Sequence, residues 1–310
     1  MSGHLPKTLL EAVRYFSDED VCVAFVASLR WPNGPICPRC GGGEHSYLKT
    51  RRLWKCKGCK KQFSVKVGSL FEDSPIKLGQ WLPAIWMIAN SKNGVSSHEL
   101  ARAVGVTQKS AWFMLHRIRL AMQTGSFEKF DSDSEIEVDE TFVGGAARFM
   151  HKDVRKRRIT GTGPNIDKTP VFGMLNRGGE VRAFVVPDNR TATVQGQVRR
   201  HIEPGAQIYS DALRSYRTLS RDYAHAMVDH AERYAIGRVH TNGIENFWSL
   251  LKRGLKGTYV AVAPFHLTRY VDERVFTFNE RHRDDLGRFV VVLSRVAGRR
   301  LTYAELTSHP

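Results

Sequence analysis

The chain has 310 residues with 47 Lys and Arg against 31 Asp and Glu, a net charge of +16 with histidine neutral. Hydrophobic residues at 42% and charged residues at 25% exclude a wholly disordered chain. No apolar run approaches the ~20 residues of a membrane span, and Glu11 falls where a signal peptide would be apolar, so a soluble, cytoplasmic protein is expected. Such a cationic surplus repels itself unless a polyanion relieves it, and nucleic acid is the usual one. A merely basic soluble protein is the bland alternative.

Residues 1–30 are expected to be helical. Ser17 to Asp20 read as an N-cap with acids in the first turn, Val21 to Leu29 continue the helix, and Pro32 stops it. Cys22, among apolar neighbours, reads as a core side chain. Residues 31–68 then carry two knuckles, Cys37-Pro-Arg-Cys40 and Cys56-Lys-Gly-Cys59. This C-x2-C-x15-C-x2-C spacing is that of a structural zinc ribbon, four thiolates closing a tetrahedron; two disulfides are the alternative, which a reducing compartment disfavours. Residues 49–61 hold seven lysines and arginines and no acid. Lys55, Lys57, Lys60 and Lys61, interleaved with Trp54 and Phe63, could neutralise phosphates without reading sequence; a solvated face would look the same.

In residues 69–125, Ser74-Pro75 opens a helical region rich in large apolar residues from Leu78 to Ile88, and Ser91 to Gly94 end it. Ser96 or Ser97 then caps a short helix, Gly105 turns the chain, and Thr107 caps a longer helix. This is the outline of a helix-turn-helix, with Gln108, Lys109, His116, Arg117 and Arg119 expected to be exposed for DNA. Plain helical hairpins share the outline.

After a polar linker the pattern changes to strands. Glu135 to Val143 alternate with period two, Ile136, Val138 and Phe142 facing one way and Glu137, Asp139 and Thr141 the other. A basic loop follows, with Lys152, Arg155, Lys156, Arg157, Arg158 and Lys168. Strands are expected over 170–176 and 180–186, a helix over 191–202, a short strand from Gln207 to Ser210 with a helix starting at Asp211, and a helix over 241–254. The class is mixed α/β. Asp139, Asp211 and Glu245 could hold divalent cations, since carboxylates gathered on a sheet repel each other without them. Each also has an ordinary reading: Glu137 or Glu140 could replace Asp139, Asp211 could be a helix cap, and Glu245 a surface residue. On the last helix Ile244, Phe247, Leu251 and Leu255 form an apolar stripe. Glu245, Ser249 and Lys252 lie on another face, Glu245 and Lys252 about 10 Å apart along it.

The ordered set CPRC, CKGC, HELARAVGVTQKSAWFMLHRIR, EVDETFVGG, YSDALRSY and HTNGIENFWSLLKRGLKGTY resembles bacterial insertion-sequence transposases with an N-terminal zinc ribbon, the IS fifteen-ninety-five family. The resemblance spans about residues 17–285. It implies a ribonuclease-H-like catalytic domain, placed here at 126–285 and followed by a tail at 286–310. Its triad is Asp139, Asp211 and Glu245, the 212–244 interval being usual for such triads, and its extra lysine is Lys252. Two Mg²⁺ or Mn²⁺ ions are implied. So is double-stranded DNA as partner, both terminal inverted repeats and target, with Arg155, Arg157, Arg158, Arg253 and Lys256 among the contacts. A homodimer or larger assembly on DNA is expected, associated with the bacterial nucleoid. A DNA-binding regulator with an inactive domain, or a nuclease that cuts without joining, are the competing functions.

Overall fold

The computed structural model describes residues 4–123, 128–144, 151–159, 165–211, 216, 218–228 and 239–308. The chain divides into two units, one of Met1–Gln123 with Glu280–Pro310 and one of Thr124–Asn279. Among the described residues no helix is long and apolar enough to cross a membrane.

In the first unit, Thr8 caps α1 (Leu9–Tyr15) and Asp18 caps α2 (Glu19–Arg30). The Glu19 carboxylate accepts the Leu78 and Gly79 amides at 3.0 and 3.1 Å, so an acid of α2 caps α3 (Leu78–Asn90) from a distance. Between them lies a three-stranded antiparallel ribbon of β1 (His45–Leu48), β2 (Leu53–Cys56) and β3 (Gln62–Phe63). Trp54 and Phe63, expected among the phosphate-binding lysines, are instead its core: Trp54 is 7% exposed and packs on Trp31, Tyr47 and Phe63. So small a sheet needs those rings buried. Ser96 caps α4 (Ser97–Val104) in a reciprocal box with Glu99, Gly105 takes the left-handed turn at φ +69°, and Thr107 caps α5 (Gln108–Met122).

The stretch expected as a tail holds α10 (Asp285–Ser294) and α11 (Tyr303–Thr307), and it rejoins this unit. Phe289 of α10 meets Trp86 and Phe16 at 5.1 and 5.6 Å. The return of the chain also accounts for a correction. Arg117, expected to face DNA, is 4% exposed and donates to the carbonyls of Leu301, Leu70 and Glu72 at 2.9–3.0 Å. His116 and Arg119, likewise expected outside, are buried with it. Arg117→Ala would orphan two buried carbonyls and one half-buried one and is expected to cost about 3 kcal/mol in denaturant unfolding. Lys109→Ala, at an exposed position, should change stability by less than about 0.5 kcal/mol.

The second unit is a five-stranded sheet in the order β6-β5-β4-β7-β8. Its strands are β4 (Glu135–Val143), β5 (Thr169–Asn176), β6 (Val181–Val185), β7 (Gln207–Asp211) and β8 (Ala224–Val228). The first three are antiparallel, whereas β4, β7 and β8 run parallel. On one face Ile136, Val138, Phe172 and Ile208 pack against Val194, Val198 and Ile202 of α7 (Thr191–His201) and its C-cap. On the other, Val171, Leu175 and Val181 pack against Ile244, Phe247 and Leu251 of α8 (Asn242–Gly254) and Val271 and Val275 of α9 (Leu267–Asn279). Two helical layers thus enclose the sheet, and both faces of its central strand are covered. Part of the basic stretch read as loop, Lys152–Arg158, is α6, in keeping with the helix propensity of Lys and Arg. Asp211, expected to start a helix, is the last residue of β7, and residues 212–215 lie outside the described residues.

Candidate functional site

Among the described residues the four cysteines form the tightest cluster of metal-ligating side chains. Their sulfurs all lie within 4.8 Å of one another, with Cys37 to Cys59 at 3.7 Å and Cys40 to Cys56 at 3.5 Å. A tetrahedral zinc with bonds of about 2.3 Å needs sulfurs about 3.8 Å apart, so the donor set fits that ion. Burial would raise the Cys37 thiol, but the amides of Arg39 and Cys40 together with the Cys59 and Cys40 sulfurs outweigh it and bring it to about 7. The Gly42 amide lowers Cys40, yet its neighbouring sulfurs push it up to about 11. Four thiolates gathered this closely call for a cation. Cys22, as expected, is apart from them and buried, donating to the Phe16 carbonyl.

Lys55, Lys57, Lys60 and Lys61 are exposed along the ribbon. Gln108 and Lys109 are exposed in the first turn of α5, Gln108 donating to Ser97 Oγ at 2.8 Å and Lys109 lying 4.9 Å over the Tyr303 ring. Arg155 and Arg157 are exposed on α6, while the Arg158 side chain lies outside the described residues. Lys252, Arg253 and Lys256 are exposed at the end of α8 and just beyond.

The carboxylates come together through sheet register. Glu137 pairs with Tyr209 across the parallel β4–β7 ladder, and two residues further along each strand stand Asp139 and Asp211, level and on one face. That face is the one α8 covers, and α8 carries Glu245, whose Oε1 accepts from Thr241 Oγ1 at 2.8 Å. Asp139 feels both partners. Burial pushes its carboxyl up to about 7, the Asp211 and Glu245 charges push the same way, and the Glu140 amide and Trp248 indole oppose them. The Trp248 Nε1–H donates to Asp139 Oδ2 at 2.9 Å. The three carboxylates do not close to the cysteines' spacing: among the described residues only those sulfurs do so. An oxygen-only set of this looser kind suits hard divalent cations that keep some of their own waters.

The other two acids of β4 have different work. Glu137 is 1% exposed: its Oε1 takes Arg177 Nε at 3.0 Å and its Oε2 takes the Ile244 amide at 2.9 Å. It therefore pins the N-terminus of α8 to the strand bearing Asp139. Arg177 extends the clamp to Glu135 at 3.1 Å and the His240 carbonyl at 2.9 Å, and lies 3.9 Å over the Tyr209 ring. Glu140 faces the α7 side and accepts Tyr216 OH at 2.6 Å; burial pushes it up to about 8 despite that bond. Asp139 is thus the β4 carboxylate on the face shared with Asp211 and Glu245.

Sequence reasoning missed Trp248, Arg177 and the role of Glu137. One signal for Trp248 was present: Gly173, inside β5 and opposite Asp139, where a Cβ would stand 2.5 Å from the indole. Only glycine lets that ring lie flat enough on the sheet to reach Asp139.

A strongly basic chain with a four-cysteine cluster fit for zinc and an α/β unit carrying acids on β4 and β7 has the features of a nucleic-acid-processing protein. Comparison with known proteins makes this specific. Residues 132–279 match the ISXO2-like transposase domain, and residues 17–62 match the transposase zinc-ribbon domain. An uncharacterized protein in the transposable element ISH50 of Halobacterium salinarum is 26% identical over 274 residues, covering 84% of this chain and 90% of that one. An uncharacterized transposase-like protein of Haemophilus influenzae is 31% identical over 101 residues, 32% of this chain and 81% of the relative. The chain belongs to the family of insertion-sequence transposases with an N-terminal zinc ribbon.

Proposed function

We propose that this transposase cuts DNA at the ends of its own element and joins the freed 3′-hydroxyl to target DNA, with Asp139, Asp211 and Glu245 as its acidic triad. The observation that carries the reading is the convergence of these three carboxylates on one face of the sheet, close enough for Asp211 and Glu245 to raise Asp139. The strand order, three antiparallel strands followed by two parallel ones, supports a ribonuclease-H-like domain. The α4–Gly105–α5 pair supports a helix-turn-helix with Gln108 and Lys109 at the DNA and without Arg117. Together with the ribbon lysines it would bind the terminal inverted repeats, and a dimer or larger assembly would hold two ends.

Two Mg²⁺ or Mn²⁺ ions held by the triad would supply an activated oxygen nucleophile and a stabilised leaving oxygen. The chain's own groups do the rest. Glu137 and Arg177 fix α8, and with it Glu245, against β4. Trp248 favours the charged form of the Asp139 carboxylate against the burial that opposes it. Lys252, two helical turns beyond Glu245, contacts a phosphate of the bound strand. Cleavage and joining are both in-line displacements at phosphorus, so one site serves both.

The test is a duplex carrying the inverted repeat that flanks the gene, incubated with protein and Mg²⁺. A new 3′-hydroxyl at the repeat's end, and its covalent transfer to a second duplex, are expected. Binding without cutting would identify a regulator, and cutting without joining of pre-cut ends a nuclease. Affinity for the repeat should fall with salt at a log–log slope of about −0.9 per phosphate neutralised.

Trp248→Phe gives a pH test. The indole donates to the charged carboxylate, so its loss raises Asp139 further above about 7. A higher pH is then needed to ionise the ligand. The acid limb of the cleavage rate should move to higher pH, with about tenfold less activity at neutral pH. An unmoved profile would mean that Asp139 does not have to be charged.

A further inference from the structure

At the C-terminal end of β4 and beside the last turn of α8 is a cavity of about 470 Å³. Its apolar lining includes Val143, Leu255 and Val262, which pack on the α8 side of the sheet, and among the described residues it also includes Lys168, Lys252 and Lys256 and no carboxylate. Lys168 is held by the neutral Asn165 Oδ1 at 2.8 Å. An apolar floor beneath several ammonium groups matches one ligand chemistry: a nucleobase between its two phosphates.

One wall is unusual. Val260 follows the π-helical turn Leu255–Tyr259, is 81% exposed and has φ +60° and ψ −57°. A β-branched residue in that region is strained, and an apolar side chain held out in water gains nothing by burial. Both costs are repaid if the side chain fills the gap left in a base stack. The cavity is also near the chemistry. Phe142 is three residues along the strand from Asp139 and Lys252 two helical turns from Glu245, each about 10 Å. At about 3.4 Å per nucleotide, that is two to three steps from the scissile phosphate.

We propose that this cavity takes one unstacked nucleotide of the element end, its base on the Val143–Leu255–Val262 surface, its phosphates on Lys252 and Lys256, and Val260 wedged into the vacated step. The proposal rests on the transposase reading and adds a base-flipping subsite to it.

The test uses full-length protein and the repeat-bearing duplex, with 2-aminopurine substituted singly at the three nucleotides on either side of the element end and Ca²⁺ in place of Mg²⁺. In the wild type one position should brighten several-fold on binding. Val260→Gly, which relieves the backbone strain and so should fold at least as well, should lose most of that signal while keeping end affinity within about twofold. Lys256→Ala should lose part of it. End binding with no position brightening, or brightening undiminished in both variants, would overturn the subsite and leave the transposase reading standing. Failure of the wild type to prefer the repeat over random DNA would overturn both.

Discussion

Asp139→Asn is expected to lower cleavage and strand transfer by about 10³-fold or more while leaving fold and end binding intact. The substitution keeps the shape of the side chain and its acceptor oxygen for Trp248, and removes the charge that a bound cation requires. Losing one ligand of a two-metal site forfeits several kcal/mol of transition-state stabilisation, and about 1.4 kcal/mol is tenfold. Without metal the variant should be the more stable protein. The wild-type carboxyl titrates at about 7 in the fold against an ordinary value near 4. A carboxyl raised by folding contributes stability that is whole below about pH 4 and lost as pH rises to 7. At pH 8 the neutral amide is therefore spared a penalty that the aspartate bears, and thermal unfolding should show Asp139→Asn melting higher. Mg²⁺ should reverse the order by stabilising the wild type alone. Asp211→Asn and Glu245→Gln should match the activity loss. A near-normal Asp211→Asn would remove that residue from the metal-holding set.

Cys56→Ser is expected to release zinc and unfold residues 37–63. The ribbon has three short strands and one small aromatic core around Trp54, too little apolar area to stand alone. Metal binding supplies the balance, roughly 10 kcal/mol or more in comparable peptides. The second unit, with its own core on both faces of the sheet, should stay folded. Metal analysis and proton spectra read this directly: wild-type protein with one zinc per chain, the variant with none, and the ribbon's aromatic signals collapsed. A variant that keeps its zinc, or a wild type purified without any, would end the structural-zinc assignment. Affinity for the repeat should drop with the ribbon, because Lys55, Lys57, Lys60 and Lys61 lose their arrangement along it.

What could be read from sequence was what local chemistry encodes. The knuckle spacing locates the four-cysteine cluster because each pair sits in one turn. Period-two alternation located β4, and caps at Ser96 and Thr107 located α4 and α5. What could not be read depends on distant chain. Arg117 sits on α5 at a position that looks solvent-facing, and only the return of residues 280–310 puts a Leu301 carbonyl there to receive it. Glu137 was assigned to a polar face of β4, but that face is roofed by α8, so its carboxylate is buried and serves as the helix's anchor. Trp248 was seen neither in the apolar stripe nor as a donor, because its partner lies across the sheet at Asp139. Strand β8 is short and its alternation slight, and it is a strand chiefly because β7 lies beside it.

If Asp139, Asp211 and Glu245 jointly hold the divalent ions, anomalous diffraction from crystals of the protein bound to its repeat and soaked in Mn²⁺ will show it. Two peaks about 3.5–4 Å apart, each within about 2.3 Å of oxygens from these carboxylates, are the predicted result. Peaks at Glu140 or Glu137 instead, or DNA-bound protein with a clean map and no manganese between β4, β7 and α8, would contradict it.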